Sequence, residues 1–231
     1  MDTELEALLR PPAMRMAAYP SKVITLATGK QMVVRQASRK DVPTLLDAVR
    51  PTLGIPRDYY DIVGARLYAE LLGWYRYRVR DHYCLIGQVD GFLVGIVNGR
   101  MYTREVGMSY HTLAVERGLR IGAHLFAAKM EHHLEHLGQD EVWITAESPI
   151  GFRRWMIEYD LAPKEGAQHE LGGASYYVLT RALWDSAKPR LCVGDRPVPR
   201  KLLSLAEEGI KIADEDTITE QILGAKRRML Q

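Results

Sequence analysis

The residues best suited to chemistry lie between Arg117 and Phe126, which read Arg-Gly-Leu-Arg-Ile-Gly-Ala-His-Leu-Phe. They follow a strand-like stretch, Met108 to Val115, and open a helical pattern that runs to about Leu137. A strand that feeds a glycine-bearing turn and then a helix presents backbone N–H groups with no partner inside the helix, and the helix dipole adds partial positive charge at the same end. Such an end binds phosphate. Arg117 and Arg120 bring formal charge to the same place, and a guanidinium can hold a phosphate through two parallel hydrogen bonds.

That turn works only if the chain builds a sheet and helices around it. Val23–Leu26 and Met32–Arg35 flank Thr28-Gly29-Lys30, the pattern of a hairpin. Ser38 is placed as an N-cap with Asp41 three residues on, and Leu45, Leu46 and Val49 supply the apolar stripe of a helix that Pro51 and Pro56 end. A second helix, rich in tyrosine and leucine, is predicted from Asp58 to about Tyr77. Strands follow at Tyr83–Ile86 and Gly91–Val97, joined by a turn at Gln88–Gly91, and a longer one from Arg104 to Val115. After the glycine-turn helix come a strand at Glu141–Thr145 and a helix capped by Ser148-Pro149 that ends near Glu158. Two more strands lie either side of Gly172-Gly173, the second being Ser175–Thr180. Strands and helices alternating in this way predict a mixed α/β domain around one sheet. Arg196-Pro-Val-Pro-Arg200 reads as a linker, with amphipathic helices at Lys201–Glu208 and Thr217–Leu230. The chain therefore divides into a peripheral arm (residues 1–22), a central domain (23–188) and a helical extension (189–231), the last either packed on the domain or forming a homodimer contact.

Composition narrows the partners. The 231 residues are 47% hydrophobic and carry a formal net charge of +2. That balance is too mild to make nucleic acid or an anionic membrane the main partner. The aromatic and basic run Trp74–Arg80 is short, and packing is the better reading for it. No apolar run approaches the roughly 18–20 residues a membrane-spanning helix needs, and the acidic start Met1-Asp-Thr-Glu lacks the core of an export signal. The two cysteines, Cys84 and Cys192, lie far apart with no metal-ligand spacing, as expected of free thiols in a cytoplasmic protein. One motif competes for the glycine-turn helix: His132-His133-Leu134-Glu135-His136 fits His-x-x-Glu-His, in which two histidines four apart can share a zinc ion. It sits at the C-terminal half of the helix, where histidines also complement the dipole, and no third ligand is placed downstream. No metal is expected.

The Arg117–Phe126 run also resembles the acyl-CoA pyrophosphate loop of the GNAT N-acetyltransferases, Arg/Gln-x-x-Gly-x-Gly/Ala. Arg117 fills the first position and Gly122 the last, while Gly118, Ile121 and Leu125 match the commoner longer form; Arg120 stands where the middle glycine would be. The element order over residues 31–184, with two helices between the first and second strands, is similar to that of the family. The resemblance implies a GNAT-like mixed, mostly antiparallel central sheet flanked by helices, and acetyl-CoA as co-substrate. It implies transfer of an acetyl group to a primary amine on a small-molecule or peptide acceptor. A non-catalytic acyl-CoA-binding or regulatory module is the alternative, and a zinc hydrolase built on His132 and His136 a more distant one.

Site residues carry over from the same resemblance. Arg117, Gly118, Leu119, Arg120, Ile121, Gly122 and Ala123 would hold the pyrophosphate, and Leu113, Ala114 and Val115, at the end of the family's fourth strand, would pair with the pantetheine arm. On that strand Glu105 and His111 become candidates for the base that takes a proton from the ammonium; six residues apart, they are expected on one face, with Tyr110 and Thr112 on the other. In the family's second region, Trp155 stands at a phenylalanine position and Met156 at that of the tyrosine that protonates the departing thiolate. A thioether has no proton to give, so Tyr159, three residues on, is the candidate acid. Arg153 and Arg154 lie near the expected phosphates. Tyr59, Tyr60 and Asp61, in the region that forms the family's acceptor site, are candidate substrate contacts.

Overall fold

The computed structural model describes residues 4, 8, 14–145, 148–168 and 175–224, with the side chains of 150, 166–168 and 175 outside that description. An eight-stranded sheet forms its centre: β1 (Lys22–Thr25), β2 (Gln31–Gln36), β3 (His82–Val89), β4 (Phe92–Met101), β5 (Val106–Ala114), β6 (Glu141–Thr145), β7 (Ala162–Gln168) and β8 (Ser175–Thr180). Their order in space is β1-β2-β3-β4-β5-β6-β8-β7. Every pairing is antiparallel except that of β5 with β6. The exception follows from the connection, because parallel neighbours need a crossover and the helix after β5 supplies it. The fold class is the expected one: mixed α/β, with a mostly antiparallel sheet flanked by helices.

Local chemistry explains the elements. Ser38 N and Oγ both donate to Asp41 Oδ2, at 2.7 and 2.9 Å, which starts a 3-10 turn that runs into α1 (Val42–Val49). Pro51 falls in the following 3-10 turn, and α2 (Tyr60–Tyr75) begins after a second one. β3 and β4 meet at Asp90-Gly91, both with positive φ (52° and 81°), the conformation of a two-residue hairpin turn. The Ser148 side chain accepts from Gly151 N at 3.1 Å and starts α4 (Pro149–Tyr159). The crossover helix α3 (Ile121–Glu131) ends in a π turn, His132–His136, where Leu137 N reaches back to His132 O. A helix not singled out in the sequence, α5 (Arg181–Leu191), follows β8 with Thr180 as its cap. The Gly172-Gly173 break and the last part of the Thr217–Leu230 helix lie outside the described residues.

Helices cover both faces. On one, α1 and α2 bury Leu45, Leu67, Leu71 and Trp74 against Ile86, Ile96 and Leu113. On the other, Ile121, Leu125 and Ala128 of α3 pack on Tyr83, Leu85 and Val97. The C-terminal segment joins the same structure: α6 (Arg200–Glu208) buries Ala206 beside Val23 and Val33, and α7 (Glu215–Gly224) buries Ile218 and Ile222 in the α1–α2 core. Lys211 also pairs with the β3–β4 turn, its N–H donating to Gly91 O and its carbonyl accepting from Leu93 N. No described helix is long and apolar enough to cross a membrane.

A buried charge cluster closes the α3 face. Glu131 accepts from Tyr19 Oη (2.7 Å), Lys22 Nζ (2.9 Å) and both terminal nitrogens of Arg196 (2.9 and 3.1 Å). Burial alone would push this carboxyl up, but the Arg196 hydrogen bonds, the Lys22 charge and the Tyr19 and Lys22 hydrogen bonds outweigh it and hold the pKa at about 2. Removing one partner of such a cluster leaves buried charge uncompensated. Glu131→Gln is expected to lower the unfolding free energy at pH 7 by roughly 3 kcal/mol in urea titrations. Because the folded-state pKa lies below the ordinary 4.5, the contribution is present above about pH 4.5 and fades as pH falls toward 2, so the gap between wild type and variant should narrow over that interval.

Candidate functional site

β5 and β6 run side by side only from Val106–Ser109 against Glu141–Ile144. Beyond that β5 continues to Ala114 alone on this edge, and a cavity of about 550 Å³ occupies the opening. Thr112, Leu113 and Ala114 form one wall and the segment Glu116–Ala123 another. Arg57, Asp58, Tyr60 and Val63 close the α2 side, and Ser148, Gly151, Arg154 and Trp155 the α4 side. The cavity therefore joins an unpaired strand edge to the N-terminus of a helix.

That helix end is suited to an anion. Gly118 has φ +94°, which L residues rarely adopt, and an added Cβ there would meet nothing within 4 Å. Arg120, at the N-cap, is also left-handed (φ 58°); its guanidinium has no acceptor to offer as a cap, and no acidic residue fills the first turn. The first-turn N–H groups of α3 are thus left to whatever enters the cavity. Arg120 turns outward, with Nη2 3.2 Å from Glu158 Oε1 and the side chain 57% exposed. Arg117 is held over the cavity by Asp58, Nη1 to Oδ2 at 2.8 Å, and lies 5.6 Å from the centre of the Tyr60 ring. Tyr60 Oη donates to Ala114 O at 2.9 Å, satisfying one carbonyl of the unpaired edge.

A bulge shapes the middle of β5. Val97 faces Thr112 and Gly99 faces Ser109, so Tyr110 and His111 together oppose Asn98. One extra residue reverses the alternation of faces beyond it. Gly107 lies against His133 of α3, whereas Tyr110 and His111 both turn to the α2 side, their rings 6.2 Å apart. His111 Nε2 lies 3.0 Å from Glu70 Oε1, Asn98 Nδ2 donates to Glu70 Oε2 at 2.5 Å, and Asn98 Oδ1 accepts from His111 N at 2.9 Å. Burial works to raise the Glu70 carboxyl pKa, but the His111 charge and the hydrogen bonds from His111 and Asn98 bring it below the ordinary value. Glu70 is held as a carboxylate.

The expected site residues separate accordingly. Arg117 through Ala123, Leu113, Ala114, Tyr60 and Arg154 all line the cavity. Val115 is core instead, and Tyr59, Asp61 and Arg153 are not on the cavity wall. Glu105 does not share a face with His111: it lies in the exposed turn before β5, its carboxylate 3.2 Å from Thr103 Oγ1, at the end of the strand remote from the loop. The bulge would have broken the shared face even on a longer strand, and for the same reason Tyr110 does not lie opposite His111. Tyr159 is buried (3% exposed), its ring 5.3 Å from that of Phe126 in a cluster with Leu161 and Trp184, and burial pushes its phenol pKa well up. Met156 faces a separate apolar depression with Phe152 and Ile157.

The histidine cluster makes a different structure. Glu135 Oε1 accepts from Trp184 Nε1 and pairs with Lys188 Nζ, each at 2.8 Å, and so turns away from any shared ion. His132 and His133 are fully buried against Tyr83 and, by burial, are held neutral with pKa values of about 3. Among the described residues no group of three His, Cys, Asp or Glu side chains is arranged to hold a metal ion.

Sequence reasoning missed Thr112 as a cavity residue, Ser148 and Trp155 as its far wall, and Glu70, which lies with its partner His111 off the cavity wall. Glu70 had a signal: it follows Val63 by seven residues, hence on the same side of α2. That it would meet His111 had none, because a bulge cannot be read from side-chain types.

No protein-family model and no curated protein sequence matches the chain. Solved structures do. An uncharacterized protein from Bacillus halodurans matches with a TM-score of 0.53 at 10% identity, covering 74% of this chain and 95% of that one. The PaiA N-acetyltransferase of Thermoplasma acidophilum, in complex with coenzyme A, matches with a TM-score of 0.47 at 15% identity, over 64% of this chain and 98% of its own. Mycobacterium smegmatis RimJ, in complex with CoA-disulfide, gives 0.47 at 12% identity, over 73% and 91%. At 10% identity the first likeness is one of fold.

The left-handed backbone at Arg120 makes a prediction. A non-glycine residue there costs about 1–2 kcal/mol, against roughly 0.5–1 kcal/mol of extra unfolded-state freedom for glycine. The surface pair to Glu158 adds little. Arg120→Gly is therefore expected to raise stability by up to about 1 kcal/mol, read from urea denaturation midpoints.

Proposed function

We propose that this chain is a GNAT-type N-acetyltransferase that moves an acetyl group from acetyl-CoA directly to a primary amine. One observation carries the reading: a single cavity joins the uncapped N-terminus of α3 to the unpaired edge of β5. An acyl-CoA presents a pyrophosphate, an amide-bearing arm and a thioester in linear order, and the donor set fits that order. The open turn at Gly118 and the first-turn N–H groups suit the pyrophosphate, with Arg117 and Arg154 adding charge. The backbone of Thr112 to Ala114 offers an edge on which an amide-bearing chain can pair as a strand would. When bound, acetyl-CoA supplies an acetyl group activated as a thioester.

The protein's remaining task is the acceptor. Only a neutral amine attacks, so the site must hold an ammonium and then remove its proton. Glu70, ionised and joined to His111, is the group for both: its carboxylate draws the cation, and the Glu70–His111 pair receives the proton through water or directly. The acceptor, a small-molecule or peptide amine, would approach along α2, where Tyr60 lines the cavity and Tyr59 and Asp61 stand at the helix start. Glu105 and Tyr159 have no part in this mechanism.

Titration calorimetry should show acetyl-CoA binding. No heat at millimolar acetyl-CoA would sink the reading, whereas binding without thiol release across a panel of primary amines would leave a CoA-binding module. Where turnover is found, Glu70→Gln should lower kcat about 100-fold and leave the KM for acetyl-CoA unchanged, measured by thiol release.

A further inference from the structure

α3 carries Gly122, Phe126 and Lys129 at i, i+4 and i+7, one row along its face. Gly122 abuts Thr112 and Ala114 at the mouth of the cavity. Phe126 stacks on Trp155 of the cavity wall, ring centres 4.4 Å apart. Lys129 ends the row beneath the bulge, with no surface exposed to solvent. Its Nζ lies 3.2 Å from Tyr110 O, 3.1 Å from His111 O and 3.4 Å from Thr112 Oγ1, three acceptors for three ammonium hydrogens. Thr112 lines the cavity, so the amine lies directly behind its inner wall, where the arm of an acyl-CoA laid along β5 from the loop would end.

We propose that Lys129 is the proton donor to the sulfur released in acyl transfer, an inference that rests on the acetyl-CoA reading above. When the amine attacks, the new C–N bond forms and the C–S bond breaks with its electron pair left on sulfur. The Lys129 ammonium gives that sulfur a proton, while the second proton of the amine nitrogen goes to Glu70–His111, which passed the first, taken from the ammonium, to solvent before attack. Lys129 regains its own from solvent once product leaves. Met156, which stands at the position of the family's acid, has no proton to give and faces a separate depression. Burial brings the Lys129 pKa down to about 7 despite the opposing influence of Glu70 and Cys84, so it can release a proton near neutrality. The groups that act on it are Glu70 from α2, Cys84 from β3, His111 from β5 and His133 from its own helix.

The test uses CoASH alone and needs no acceptor. Calorimetry establishes binding, and the ultraviolet absorbance of the thiolate then follows the bound thiol across pH. Lys129 and the bound thiol titrate as a coupled pair, the thiolate raising the pKa of the amine as the ammonium lowers that of the thiol, so in the wild type the thiol should ionise about 1–3 pH units below free CoASH. In Lys129→Gln, which keeps donors for the bulge carbonyls but has no charge, binding should persist and the thiol should titrate as in solution or higher; Lys129→Met should do the same where it folds. A wild-type thiol that titrates like free CoASH, or a lowered one that persists in Lys129→Gln, would overturn the proposal while leaving acetyl-CoA binding intact. Absence of CoASH binding to the wild type would overturn the functional reading and this inference with it.

Discussion

The structure turns on a strand that outlasts its neighbour. Between Tyr110 and Ala114 β5 has no pairing with β6, yet these residues are buried or half-buried, and buried peptide groups need hydrogen-bond partners. Side chains from three elements answer that need. Tyr60 of α2 reaches Ala114 O, Lys129 of α3 reaches the two carbonyls at the bulge, and Asn98 of β4 accepts from His111 N. What remains unclaimed on this edge faces the cavity. The same parting of strands therefore explains an unusual set of polar side chains inside the core and the opening that makes a ligand site.

Charge is arranged along this edge rather than spread over it. Cations stand at the outer end, where Arg117 and Arg154 flank an uncapped helix terminus, and an anion, Glu70, pairs with His111 between α2 and the sheet, off the cavity wall. Each cation already has a carboxylate neighbour: Asp58 for Arg117, Glu158 for Arg120 and Arg154. An incoming phosphate would compete with these contacts at a partly exposed surface. Glu70 is different. It lies among neutral or cationic partners in a buried setting, and its ionised state is part of the packing of α2 on the sheet.

Stability is drawn mainly from elsewhere. Glu131, two residues beyond Lys129 on α3, points away from the site and gathers Tyr19, Lys22 and Arg196, so the segments before β1 and after α5 close on one carboxylate. With Ile218 and Ile222 buried in the α1–α2 core, the C-terminal helices are part of the same packed structure rather than an appended tail. A helix that serves the cavity with one face and anchors both ends of the chain with another leaves the cavity edge free to carry unsatisfied donors.

Much of this was legible in the residues. Capping serines at 38 and 148, the Asp90-Gly91 turn and the β-branched run Glu141–Thr145 are local signals, and the elements they mark stand where they were expected, because caps and turns depend on a few neighbouring side chains. The phosphate-suited turn at Arg117–Ala123 was legible for the same reason, and its residues line the cavity. What the chain could not announce was the inner end of the site. A strict period of two placed Glu105 with His111 and Tyr110 opposite; a single bulged residue undid both, and bulges are set by strand pairing across the sheet. Glu70 and Lys129 carry no mark in the sequence of where they pack, since nothing in a sequence separates a solvated charge from a buried one. Only the packing of α2 and α3 on opposite faces of β5 turned these two charges toward the strand, Glu70 to His111 and Lys129 to the carbonyls at the bulge.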